Sequence, residues 1–283
     1  MLWLVFAVLA GILGGFIPLI HRIILKEHEH LEYAAIFNLL GALCYLPLFV
    51  LGFQNPQDPS SWLFLIIASI FWSVVVWIGF KARKFTEASI WTPLSQTRVL
   101  FVLIISTLFL AEGITLAKVL GVLLVFVGTT ILTIEKGKLF GKIKEIGIQL
   151  TLLFSLLVSI AIVLDKFVLG FFTPATYGFF PYLIPGVVLA FSTKNSRFFS
   201  KIFKTKWKLL LLVVFIDVAV YFLTLSAISL TDVSSVVTVL QLSIIVSVLG
   251  GIIFLNEKTF VFPKIIGMIL TIVGVILISG LTF

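Results

Sequence analysis

The sequence predicts an all-α polytopic membrane protein, with ten transmembrane helices arranged as two inverted-topology five-helix repeats. Three observations predict it. Of 283 residues, 61% are hydrophobic and only 11% charged, with mean hydropathy +1.26, whereas soluble domains are about 45–50% apolar and about 25% charged. Charged residues gather in short clusters between long apolar runs, the pattern of a chain whose solvent is lipid. The second half of the chain also repeats the first at a nearly constant offset.

A helix needs about 20 apolar residues to cross about 30 Å of hydrocarbon. Ten windows meet or approach that length: residues 2–25, 31–52, 62–80, 87–110, 116–134, 146–170, 175–192, 207–228, 232–255 and 261–282. The first run has neither a basic leader nor a small-residue cleavage site, so it reads as a helix and not as a removable signal. Connections are short, the longest being the basic stretch 194–208, which places function between the helices. Pro18, Pro47, Pro93, Pro181 and Pro185 fall inside spans, where neighbouring helices re-satisfy the freed backbone groups and kinks are tolerated.

The basic residues are distributed unevenly. With ten spans, one face carries 17 of the 20 Lys and Arg: Arg22 and Lys26; Lys81, Arg83 and Lys84; Lys136, Lys138, Lys142 and Lys144; Lys194, Arg197, Lys201, Lys204, Lys206 and Lys208; Lys258 and Lys264. The opposite face carries Lys118 and Lys166, and Arg98 lies within a span. Positive loops stay in the cytoplasm, so both termini are expected outside, in a cell (plasma or inner) membrane. A net charge of +8 scattered over short loops fits this topology and not a nucleic-acid partner. The single Cys44 excludes an intrachain disulfide framework.

The internal repeat aligns almost without gaps. Thr86-Glu87-Ala88-Ser89 matches Thr231-Asp232-Val233-Ser234, Gln96 matches Gln241, Leu110-Ala111-Glu112 matches Leu255-Asn256-Glu257, and Trp62 matches Trp207, all 145 residues apart. Lys118, Gly121 and Gly128 meet Lys264, Gly267 and Gly274 at 146, while His21-Arg22 meets Asp165-Lys166 and Tyr33 meets Tyr177 at 144. The units are residues 1–140 and 141–283, each with five spans. An odd number turns the second unit upside down relative to the first, the arrangement that supports alternating access around a midplane site.

The run Thr86-Glu87-Ala88-Ser89, Pro93-Leu94, Phe109-Leu110-Ala111-Glu112, Gly121 and Gly128, repeated in the second half, resembles the drug/metabolite transporter superfamily in its EamA-like ten-helix branch. The resemblance covers essentially the whole chain. It implies a secondary transporter of small metabolites, with a cavity walled mainly by the first four helices of each half. Such proteins are usually drawn with both termini cytoplasmic, opposite to the orientation that the charges here favour.

Candidate contacts are polar groups at membrane depth, where burying an arginine costs about 2.5–3.5 kcal/mol even on insertion scales. Arg98 is near the middle of the fourth span and shares a side with Trp91, Leu94 and Ser95. Two readings stand: a cationic contact for a substrate carboxylate or phosphate, or a fixed ion pair. Asp217 lies at comparable depth in the eighth span, followed on one face by Tyr221 and Thr224. It is read as a coupling-proton carrier, an amine contact, or the neutralising partner of Arg98, and simple pairing is the favoured bland explanation. Ser234, Thr238 and Gln241 form a stripe in the ninth span, matched by Ser89, Pro93 and Gln96 in the fourth; helix-to-helix hydrogen bonding is the commoner use of such residues. Trp72, Trp77, Trp91, Tyr177 and Tyr221 are aromatic candidates for a cavity wall or for packing. Glu112 and Glu257 are expected to be structural, Asp165-Lys166 to snorkel at the headgroups, and the paired glycines to mark close helix contacts.

Enzyme readings find little support. His28 and His30 with Glu27, Glu29 and Glu32 make a weak loop cluster, no metal site is expected from it, and no phosphate loop or nucleophile elbow occurs. The expectation is therefore a carrier of a small-molecule solute, exporter or exchanger, without cofactor beyond coupling protons, as a monomer or homodimer in the lipid bilayer. Its substrate contacts are Arg98, Asp217, Tyr221, Gln241, Gln96, Trp91, Trp72 and Thr238. The alternatives are a flippase for a lipid-linked intermediate, which needs a lateral opening, and, further off, a membrane-embedded enzyme or binding protein.

Overall fold

Apolar helices dominate a computed structural model that describes residues 1–25, 30–85, 91, 94–133, 146–192, 206–254 and 261–279. In chain order the helices are α1 (Leu2–Gly14), α2 (Phe16–Leu25), α3 (His30–Gly52), α4 (Ser61–Phe85), α5 (Arg98–Leu110), α6 (Leu116–Thr133) and α7 (Ile146–Val168). There follow α8 (Pro174–Tyr177), α9 (Phe180–Ser192), α10 (Trp207–Leu230), α11 (Val233–Leu240), α12 (Leu242–Phe254) and α13 (Val261–Ser279). Seven helical segments are long and apolar enough to cross a membrane, and three shorter apolar ones, Leu2–Pro18, Arg98–Leu110 and Leu116–Leu132, accompany them. Large apolar side chains such as Phe109 (79% exposed) and Phe191 (89% exposed) point outward, as lipid-facing residues do.

Several expected spans are interrupted, and the physical causes differ. The first breaks at Gly15, one turn before Pro18, whose missing N–H and ring disturb the preceding turn. A side chain at Gly15 would also meet Val246 Cβ at 2.5 Å, so the backbone passes close to α12. The seventh divides at Gly178, where a Cβ would collide with the Tyr45 hydroxyl. The ninth divides at Gln241, between α11 and α12, and a turn at Gln96 and Thr97 precedes α5 at the matching place in the first half. The start of the expected fourth span, including Ser89 and Pro93, lies outside the described residues, as do Glu257, His28 and most of the basic stretch 194–208.

The two halves interlock reciprocally. α1 packs on α10 and α11 of the second half, while its counterpart α7 packs on α4 and α5 of the first. α6 and α13 form the most extensive helix pair, built on the predicted glycines. A Cβ at Gly128 would lie 2.7 Å from Gly267 O, and one at Gly274 would lie 2.6 Å from Gly121 O. Contacts 121 to 274 and 128 to 267 mean that the helices run antiparallel, with backbones in direct van der Waals contact. Val99, Val102, Val122, Val125, Val236 and Val239 bury the junction between the halves.

Candidate functional site

Three polar clusters lie inside this apolar frame. The first is at the paired helix interruptions. Gln241 Nε2 donates to Gln96 Oε1 at 2.6 Å, so the residues related by the 145-residue repeat meet each other. Arg98, in the first turn of α5, donates from one terminal nitrogen to Gln241 Oε1 at 3.0 Å. Its Nε is buried without a hydrogen-bond partner, and among the described residues no carboxylate pairs with it. The expected neutralisation of Arg98 by Asp217 is therefore not what the chain does. A guanidinium at this depth is held by an amide, which satisfies one N–H but supplies no opposite charge.

The second cluster contains two carboxylates among aromatic side chains. Asp217 accepts from the Tyr182 hydroxyl at 2.6 Å. Asp165, only 1% exposed, accepts from Trp72 Nε1 at 2.8 Å, from the Tyr177 hydroxyl at 2.5 Å and from the Tyr221 hydroxyl at 3.4 Å. The expectation that Asp165-Lys166 snorkels to headgroups is corrected: Asp165 turns inward, and Lys166 Nζ donates to the carbonyls of Ile228 and Thr231 at 2.6 and 3.0 Å. The sequence signal was present in part, since adjacent helical positions point about 100° apart and an acid and a base there need not share an environment.

The third cluster closes the end where α5 meets α6. Ala111 adopts φ 52°, a left-handed conformation rare for a residue with a Cβ, and this reverses the chain so that Glu112 turns back into the protein. Glu112 accepts from the Ser106 hydroxyl, the Ser234 hydroxyl and the backbone N–H of Val233. Lys118 Nζ lies 3.3 Å from Glu112 and 2.9 Å from Asp232. Asp232 is the N-cap residue of α11 but its side chain makes no cap bond, so a carboxylate from the other half supplies the cap. Burial alone raises the Glu112 pKa, yet the Ser234, Ser106 and Val233 hydrogen bonds and the Lys118 charge outweigh it and hold the carboxyl below its ordinary range.

The remaining candidates divide. Trp72, Arg98, Asp217 and Tyr221 are half-buried around the interior. Trp91 packs on Phe154, with ring centroids 4.9 Å apart. Thr238 is wholly buried and its hydroxyl bonds back to Ser234 O, so it is satisfied within its own helix. Trp77 faces outward at 45% exposure beside Lys81, and Tyr177 is enclosed; neither lines an open path. An open cleft of about 620 Å³ lies between residues 54–58 and 169–173, away from Arg98.

Among the described residues the chain is a bundle of apolar helices in two similar halves, with the equivalent residues Gln96 and Gln241 meeting at a buried polar junction, which is the class of a polytopic membrane protein. The EamA-like transporter family matches residues 1–134 and 145–280, and the chain belongs to that family, within the drug/metabolite transporter superfamily. A solved structure described as "Crystal structure of protein" is similar over 99% of this chain and 96% of that chain, with a TM-score of 0.78 and 15% sequence identity; the likeness is one of fold. No curated protein matches.

Proposed function

We propose that the chain is a secondary-active carrier that moves a small metabolite by alternating access, with the two five-helix halves inserted in opposite senses and rocking about a midplane site. Arg98 carries this reading. It is a guanidinium at the junction of interrupted helices, fixed by Gln241, with a buried Nε left open and no carboxylate partner among the described residues. A transporter gains from such an arrangement because the missing negative charge arrives with the solute and leaves with it. Gln241, itself held by Gln96, fixes the guanidinium, and in this reading Trp91 and Trp72 wall the path and Asp217 with Tyr221 flanks it. The excess of basic loops on one face supports an orientation with both termini outside.

Purified protein in liposomes is expected to move a labelled anionic solute saturably, and Arg98→Ala to reduce that flux at least tenfold. Equal flux by the two proteins across a broad panel of organic anions would remove Arg98 from the site.

A further inference from the structure

Asp165 is the most deeply enclosed of the three polar side chains Arg98, Asp165 and Asp217 that carry a formal charge in the interior. Its Oδ1 is fully engaged, accepting from Trp72 Nε1 and the Tyr177 hydroxyl, whereas Oδ2 faces only the Tyr221 hydroxyl at 3.4 Å, the outer limit of a hydrogen bond. Among the described residues no basic group neutralises it. Lys166, next on α7, is spent on the carbonyls of Ile228 and Thr231. From α5, Arg98 is directed to Gln241. The Lys118 at the foot of α11 binds Glu112 and Asp232. From α4 and α8 the facing groups are Trp72 and Tyr177, and from α10 they are Tyr221 and, one turn earlier, Asp217.

An uncompensated carboxylate inside a bilayer protein is expensive and marks ion or proton pathways. An asparagine would accept the bonds from Trp72 and Tyr177 without that cost, so the acid is retained for its charge or its proton. Two kinds of neutralising partner are excluded by the surroundings. A metal ion needs several carboxylate or carbonyl oxygens, and Asp165 is the single carboxylate among Trp72, Tyr177 and Tyr221. An organic cation needs space, and a residue 1% exposed beside a wholly buried Tyr177 offers none. A proton satisfies both conditions.

A second acid with its own phenol stands close by. The Tyr221 ring stands edge-on to the Tyr182 ring, with centroids 5.4 Å apart and planes at 88°, and the Tyr182 hydroxyl donates to Asp217 Oδ2. Each acid, one on α7 and one on α10, thus has a phenol at its carboxylate, and the two phenol rings pack against each other. We propose that Asp165 is the coupling acid of the carrier, binding one proton on Oδ2 and releasing it once per transport cycle. In the neutral form a new O–H on Oδ2 donates to the Tyr221 oxygen. On release that O–H bond breaks, the proton passes to water admitted during the transport cycle, and the Tyr221 hydroxyl turns to donate to Oδ2. No electron moves. The role rests on the carrier reading, but its chemistry is measurable without a substrate.

The test is infrared difference spectroscopy of the full chain in lipid, recorded between acidic and alkaline buffers. A carbonyl band of a protonated carboxylic acid is expected to titrate, to be lost in Asp165→Asn and to survive in Asp217→Asn. Tyr221→Phe, which leaves Oδ2 without its donor, is expected to keep the band into more alkaline buffer; this variant decides the matter if Asp165→Asn does not fold. A band lost in Asp217→Asn but not in Asp165→Asn, no titrating band at all, or a Tyr221→Phe titration identical to wild type would overturn the proposal. A titrating Asp165 in a protein without saturable flux would instead remove the carrier reading.

Discussion

Glu112 joins the two halves through one carboxylate, and its removal is the sharpest test of how they are held. In Glu112→Ala the first backbone N–H groups of α11 lose their cap, because Asp232 does not supply one. The Ser106 and Ser234 hydroxyls lose their acceptor as well. Breaking a buried ion pair by deleting one partner costs about 3–5 kcal/mol. Lys118 keeps Asp232, which is half exposed, so it is not left orphaned and the loss falls at the lower end, about 3 kcal/mol. Glu112→Gln keeps an acceptor and drops the charge, and is expected to cost about 1–2 kcal/mol. The assay is reversible unfolding in mixed micelles, followed by tryptophan fluorescence. The carboxyl is held below its ordinary value of 4.5 in the folded state. Its stabilisation is therefore complete above that pH and lost as pH falls through the lower folded value. The gap between wild type and Glu112→Gln should accordingly shrink in acid below pH 4.5. Asp58, also held low by its bonds from Ser60, is common to both proteins and cancels. A Glu112→Ala loss under about 0.5 kcal/mol, or a gap indifferent to pH, would refute the reasoning.

Two further outcomes follow from the same packing. Gly128→Ala places a methyl group against Gly267 O and Thr271 and is expected to cost about 1–3 kcal/mol, whereas Gly113→Ala, with nothing within 4 Å, should be neutral in the same unfolding assay. Gln241→Glu gives Arg98 a carboxylate but deletes the donor to Gln96 Oε1, so the two changes offset to within about 1 kcal/mol of stability while flux falls at least tenfold; retained flux would contradict an open guanidinium.

The membrane class was legible because apolar length and charge clustering act locally, and the runs expected at 31–52, 62–80, 116–134, 146–170, 207–228 and 261–282 became helix over nearly all their described residues. The interruptions were less so. Pro18, Pro93 and Pro181 stand close to three of them, while Ser95, Thr97, Thr238 and Ser243 around Gln96 and Gln241 are polar types that unbroken membrane helices also carry. What sets these two breaks apart is a long-range contact, an amide pair 145 residues apart. The depth of Arg98 was likewise readable and its partner was not, since Asp217, the acid at comparable depth, is sent by the geometry to Tyr182. Asp165 was read by its neighbour Lys166 and its nearness to a helix end, yet the donors that enclose it come from α4, α8 and α10. The glycine pairs show the converse: spacing one heptad apart named both the residues and the helices that meet.

Counterflow in reconstituted vesicles tests the carrier mechanism most directly. A site that faces one side at a time returns loaded faster than empty, so preloading vesicles with unlabelled solute should accelerate entry of the labelled solute and drive its transient accumulation. Entry at the same rate with and without preloading, at saturating outside solute, would contradict alternating access in this protein.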